Sequence, residues 1–364
     1  MNRETSIYLD LVRFTAAVFV FLTHASREQS SGGLLWQLQF GREAVDVFFV
    51  LSGFVIAHVV ETQEHSPLSY AVARAARIWS VALPALVLTF VLDRIGQPLR
   101  PENYVGWCCD SLGRPAFEYL GSLVFLNEIW SRHAPPGSAL PYWSLGFEVW
   151  YYVAFGVAFF GRRPWNLIGA ALVMLAIGPR VAALFPLWLL GFACYRLGRR
   201  SAVDPRLGWT LCVGAPIAFV LYEQDAYRYG EIYAAFSLSS ERLHDYAQDY
   251  IVGGLFALHL FGFRAVSGAF APLLRRWEKP IRWIAGATFS LYLFHVPLIE
   301  AAAALSPWPA SAWPTRGMVF IGVPLIVLAL AEVTERRKAA WRRGIVGLLA
   351  FGGIGKPGAI ARSP

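Results

Sequence analysis

Residues 7–24 read IYLDLVRFTAAVFVFLTH. The run is apolar apart from Asp10, Arg13 and His24 and a few hydroxyls, and its length approaches the roughly 20 mostly apolar residues that carry a helix across a bilayer. It ends in His24 with no small-residue cleavage site after it, so it reads as a retained first span rather than a secretory leader.

The same pattern recurs along the chain. Ten segments qualify or nearly qualify as spans, near 7–24, 44–60, 78–93, 143–160, 165–178, 183–197, 208–222, 250–264, 284–304 and 316–334. The chain has 364 residues, 56% hydrophobic and 15% charged. That balance is too apolar for one soluble core. Trp and Phe gather near the ends of the apolar runs, where amphipathic rings suit the headgroup region. A formal charge of +8 would suggest nucleic acid in a soluble protein, but the arginines sit in short loops between apolar runs, where they set topology. No nucleic-acid partner is expected, and membrane lipid is.

With the N-terminus inside, 21 of the 32 Lys and Arg fall on the cytoplasmic side and ten on the other, with Arg13 inside the first span. This bias predicts an even number of spans and cytoplasmic termini. The segment 117–130 (FEYLGSLVFLNEIW) would reverse the bias if it crossed alone. It is therefore expected as a re-entrant or interfacial helix. The expected architecture is an all-α polytopic membrane bundle of about ten transmembrane helices, with residues 1–335 integral and 336–364 a basic cytoplasmic tail. Residues 223–249 read as an acidic, tyrosine-rich outer loop. Cys108, Cys109, Cys194 and Cys212 lack metal-ligand spacing and are expected as free thiols, with no metal bound.

Ionisable groups inside membrane helices are costly, which makes each a functional candidate. At about 100° per residue, Arg13 and His24 share one helix face roughly 16 Å apart along the axis. The alternative is that Asp10 and Arg13 neutralise each other at i, i+3. Asp46 precedes Ser52-Gly53, a pair that commonly permits close helix packing. Arg74 and Arg77, one turn apart, suit either phosphate binding or topology. Asn127 ends the short 117–130 segment. Glu148 stands in an aromatic helix with no basic residue within a turn; it is either a neutral structural carboxyl or the partner of His24 or Arg13 on another helix. A second intramembrane histidine, His295, follows Ser290 and Tyr292.

Four stretches, in order, resemble the acyltransferase-3 family. They are Asp10-x-x-Arg13 with His24; Gly41-x-x-x-Val45-Asp46-x-Phe48-Phe49-x-x-Ser52-Gly53-Phe54; Trp143-Ser144-Leu145-x-x-Glu148-x-x-Tyr151; and Ser290-x-Tyr292-x-x-His295. The resemblance runs from Tyr8 to about Glu332. It implies transfer of an acyl group, most often acetyl, from a cytoplasmic coenzyme A thioester to a hydroxyl of a glycan or lipid-linked sugar, in a bacterial inner membrane. It places His24 as the essential first-span histidine, Arg13 as the basic residue before it, and Arg74 and Arg77 as the basic stretch before the third span. Asp10, Asp46, Ser52, Asn127, Trp143, Ser144, Tyr151, Tyr292 and His295 are assigned to the substrate pocket. Two departures are that Tyr151 stands where the family has Phe, and that no extracytoplasmic esterase-like domain follows the last span.

The expected chemistry is general-base transfer by His24, whose ordinary pKa lies near neutrality, with two-step transfer through an acylated residue as the alternative. Glu148 is expected on the other ring nitrogen, fixing its tautomer. The rival from another class is a transporter or flippase using the same buried charges, although duplicated halves, frequent in transporters, are not visible.

Overall fold

The computed structural model describes residues 1–104, 115–200, 203–235 and 241–351, with side chains at all of these except 115–116, 225–235 and 241–245. Among them there is helix and no strand. In chain order the helices are α1 (Arg3–Ala25), α2 (Glu28–Ser31), α3 (Gly41–Thr62), α4 (Pro67–Gly96), α5 (Pro115–Leu123), α6 (Tyr142–Phe160), α7 (Trp165–Ile177), α8 (Pro179–Arg200) and α9 (Pro205–Ala235). They continue with α10 (Glu241–Val266), α11 (Ala271–Arg276), α12 (Glu278–Ala285), α13 (Thr288–Leu305), α14 (Trp313–Gly317), α15 (Val323–Val333) and α16 (Lys338–Phe351). A π-helical turn, Met318–Gly322, joins α14 to α15.

Eight of the ten expected spans fall on a single helix, 284–304 takes in the end of α12 and α13, and 316–334 takes in α14, the π-helical turn and α15; nine helical stretches among the described residues are long and apolar enough to cross a membrane. The protein is therefore an all-α polytopic bundle. Helix α7, with 13 residues, rises about 20 Å, short of the roughly 30 Å hydrocarbon layer. The 117–130 segment is helical to Leu123 and irregular beyond it, because Phe125 and Trp130 take left-handed backbone, φ 59° and 53°. A β-carbon strongly disfavours that conformation within a helix. Residues 223–249, expected as a loop, lie largely in α9 and α10. The expected tail is helical over α16, which packs along α4. Cys194 and Cys212 are free and buried; Cys108 and Cys109 lie outside the described residues.

The chain divides into two compact units. One comprises Met1–Ala16, Arg42–Glu61 and Ala183–Ala285. In it α3 and α8 cross at two glycines. A β-carbon on Gly53 would lie 1.8 Å from the Trp188 carbonyl oxygen, and one on Gly191 would lie 1.8 Å from that of Val50. Backbone contact of this kind is how small residues hold membrane helices together in place of a hydrophobic drive. Leu9, Leu51, Phe54, Ala57, Tyr195 and Leu260 fill the space beside the crossing, and α9 pairs with α10.

The other unit comprises Ala17–Gly41, Thr62–Ala182 and Gly286–Pro364. Its centre is α13, apolar on all sides and buried along nearly its whole length, as expected of a helix without a polar face. It packs along α4 and α15. Its first-turn N–H groups are met by a carboxylate from far along the chain: Phe289 and Ser290 each donate to Glu335 Oε2 at 3.0 Å. The negative charge also suits the positive end of the helix dipole. Helix α4 starts in a capping box, with Ser66 accepting from the Ser69 N–H at 3.1 Å and Pro67 at its first position, a pairing suited to a sharp helix start.

Candidate active site

At the C-terminal end of α1, His24 meets His295 of α13. His295 Nε2 lies 2.9 Å from His24 Nδ1. The protonation pattern follows from backbone acceptors. His295 Nδ1 is 2.8 Å from the Leu291 carbonyl oxygen, and His24 Nδ1 is 2.9 Å from that of Val20. A carbonyl only accepts, so in the neutral pair both Nδ1 atoms carry the proton. His295 Nε2 is then a bare acceptor, and His24 donates to it through a hydrogen shared with Val20. The remaining nitrogen, His24 Nε2, keeps its lone pair and has no partner among the described residues. His295 is fully buried and His24 half-buried. The inner ring is thereby held by packing, and the outer ring presents a base.

The sequence expectation puts Glu148 on the His24 ring nitrogen that does not act as base, which is Nδ1. In the structure the position is taken by His295 and Val20, and the Glu148 carboxylate accepts from the Tyr152 hydroxyl one turn along α6. The i, i+4 spacing sets those two side chains on the same face of one helix. Glu148 also acts electrostatically on Tyr292. Tyr292 stacks edge-on near His295 at 6.5 Å between ring centroids and shares a 2.5 Å hydrogen bond with Ser144 Oγ. His24 and His295 thus form one hydrogen-bonded pair and Tyr292 and Ser144 another, the two meeting only through the edge-on rings of Tyr292 and His295.

Arg74 is the second polar focus of the same unit. Its guanidinium donates to Glu64 Oε1 at 2.7 Å and lies 5.6 Å from the Tyr152 ring centroid and 5.8 Å from that of Tyr70. Burial pushes the Glu64 carboxyl above its ordinary value, and Arg74 opposes that shift. Arg77 also acts electrostatically on Glu64. Glu64 was not distinguishable in sequence, since it is an ordinary residue until the fold sets it against Arg74. Arg27, just past α1, is a further cation near the histidines; burial lowers its pKa to about 10, with Glu300 opposing.

The remaining residues named from sequence divide between the units. With the histidines, Asn127 is fully buried and donates to Glu128 Oε1 at 3.4 Å, Trp143 lies edge-on to Phe147 at 5.1 Å, and Tyr151 donates to the Val181 carbonyl at 2.7 Å. In the other unit Asp10 bonds Arg13 at 3.1 Å and Arg282 at 2.8 Å, so the i, i+3 neutralisation weighed above is present. Asp46 there is buried, and Ser52 Oγ accepts from Trp188 Nε1 at 3.1 Å.

Among the described residues no group of three His, Cys, Asp or Glu side chains stands where it could hold a metal ion. A family model described as an acyltransferase domain matches residues 6–331. Comparison with curated proteins gives no match, and comparison with solved structures gives none.

Proposed function

The chain belongs to the acyltransferase-3 family and is a multi-pass membrane acyltransferase, and from that premise we propose that it transfers an acetyl group from acetyl-CoA to a saccharide hydroxyl with His24 as general base. The observation that carries this reading is the histidine pair, whose hydrogen bonds leave His24 Nε2 as the proton acceptor. An alcohol is a weak nucleophile at neutral pH, and an imidazole can take its proton as the oxygen attacks.

The acceptor O–H gives its proton to His24 Nε2 while its oxygen bonds to the thioester carbonyl carbon. The carbon–sulfur bond then breaks, and the coenzyme A sulfur leaves with the proton returned by the imidazolium. The His24 Nδ1–H stays directed at His295 Nε2 throughout, so the positive charge on His24 is met by a fixed lone pair. Family likeness supports the acyl-CoA donor, a glycan or lipid-linked sugar acceptor, and placement in a bacterial inner membrane. Arg13, Arg74 and Arg77 are the residues proposed for the donor. Glu148, displaced from the histidine, is proposed to act from beside Tyr292.

The test is label transfer from radiolabelled acetyl-CoA to saccharide acceptors by the full chain purified in detergent. His24→Ala should lose nearly all turnover while remaining monodisperse and helical. Transfer by His24→Ala at the native rate would remove the proposed base.

A further inference from the structure

The last turns of α8 carry Arg196, Arg199 and Arg200, which at i, i+3 and i+4 share one helix face. With Glu61 of α3 they line an open cavity of about 460 Å³. Glu61 accepts from both Arg196 and Arg199, the latter at 3.0 Å. No carboxylate lies against Arg200 among the described residues. Three guanidiniums therefore face one carboxylate, and the lining keeps an excess of two positive charges. Both paired arginines stay open to solvent, 38% and 55% exposed. Their contact with Glu61 is the weakly stabilising, exchangeable kind.

The end of α8 would ordinarily repel an anion through its dipole. Here Arg264 donates to the carbonyls of Cys194 and Tyr195, just before the last turn, at 3.1 and 3.3 Å, and together with the three arginines that cation counters the negative potential of the helix end. The planar guanidinium fork matches a phosphate in two parallel hydrogen bonds. We propose that this cavity binds a phosphate group, held by Arg199 and Arg200 and contested by Glu61. Two sources share that chemistry. One is the nucleotide part of the acyl-CoA donor, a source that rests on the function proposed above. The other is the headgroup of an anionic phospholipid.

The full chain, purified in a neutral detergent, is titrated with adenosine 3′,5′-bisphosphate, which has no thioester. In parallel it is titrated with short-chain phosphatidylglycerol and, as control, phosphatidylcholine of the same chain length. Arg199→Gln with Arg200→Gln should weaken one or both anionic ligands by about 10- to 100-fold, and Glu61→Gln should tighten them by about tenfold. Loss confined to the nucleotide assigns the donor, and loss confined to phosphatidylglycerol assigns the lipid. Equal binding by the native protein and the variants overturns the proposal, as does absence of binding of both ligands to the native protein. If the double variant is not monodisperse, the single exposed Arg200→Gln carries the same comparison. These titrations need no transfer, so a failure of the acyltransfer reading and a failure of this site give different results.

Discussion

His24 and His295, 271 residues apart in the chain, meet ring to ring with 2.9 Å between Nδ1 of the first and Nε2 of the second. The inner ring has its own proton fixed on the Leu291 carbonyl, so it can act on the outer one only as an acceptor. A His–His contact of this polarity orients a base without a buried negative charge, which would be costly at membrane depth.

His295 is accordingly a positioning residue. His295→Ala should lower kcat by about 10²-fold or more, with KM for donor and acceptor nearly unchanged. His295→Gln, whose amide oxygen can reach where Nε2 stood, should recover part of the loss. The double variant with His24→Ala should be little worse than His24→Ala, since residues acting as one unit are non-additive. Steady-state transfer kinetics decide it: multiplicative losses would separate the two rings.

Arg74 and Glu64 form a pair whose side chains are 14% and 7% exposed. Removing one partner of such a pair leaves a charge without compensation, at about 3–5 kcal/mol. Arg74→Ala should therefore melt well below the native protein in detergent, and a change in donor KM is interpretable only in the milder Arg74→Lys. The Glu64 carboxyl is raised by burial from its ordinary 4.5, so the folded chain keeps that proton to higher pH than the unfolded chain. Its contribution to stability is present below the ordinary value and is lost as pH rises through the raised one. Melting temperature against pH should show this declining limb in the native protein and lack it in Glu64→Gln.

Gly53→Ala tests the α3–α8 crossing. The added methyl would have to displace backbone, since it would stand 1.8 Å from the Trp188 carbonyl oxygen. A loss of about 3 kcal/mol or more is expected, seen as reduced yield of monodisperse protein and a lower melting temperature. A variant with native melting behaviour would show that the two helices can separate without cost.

The expected topology rests on the Lys and Arg bias of 21 to ten. Reporter fusions after Arg100 and after Arg200 should report opposite sides of the membrane, with the second in the cytoplasm. Agreement between the two reporters would mean that the 117–130 segment crosses, or that one of the three expected spans between them, α7 being the shortest of these, does not.

The sequence by itself determined the spans and named the histidines. Length and polarity of a run are local properties, and the cost of lipid exposure acts on each run separately. The first-span run was enough to predict α1, and Gly53 was already legible as a packing glycine. Other features depend on how helices are rotated and set against one another, which no run records. Glu148 and His24 looked complementary in charge, yet α6 turns Glu148 to Tyr152 and α13 presents His295 to His24. The helix expected over 117–130 stops at Leu123, where Phe125 and Trp130 take backbone that hydropathy does not encode. Arg74 reads in sequence as either a phosphate ligand or a topology determinant, and only the fold shows that Glu64 is set against it. Partner choice was decided by tertiary structure, because a hydrogen bond requires atoms within about 3 Å, and a rotation of one helix by a single residue moves a side chain about 100° away.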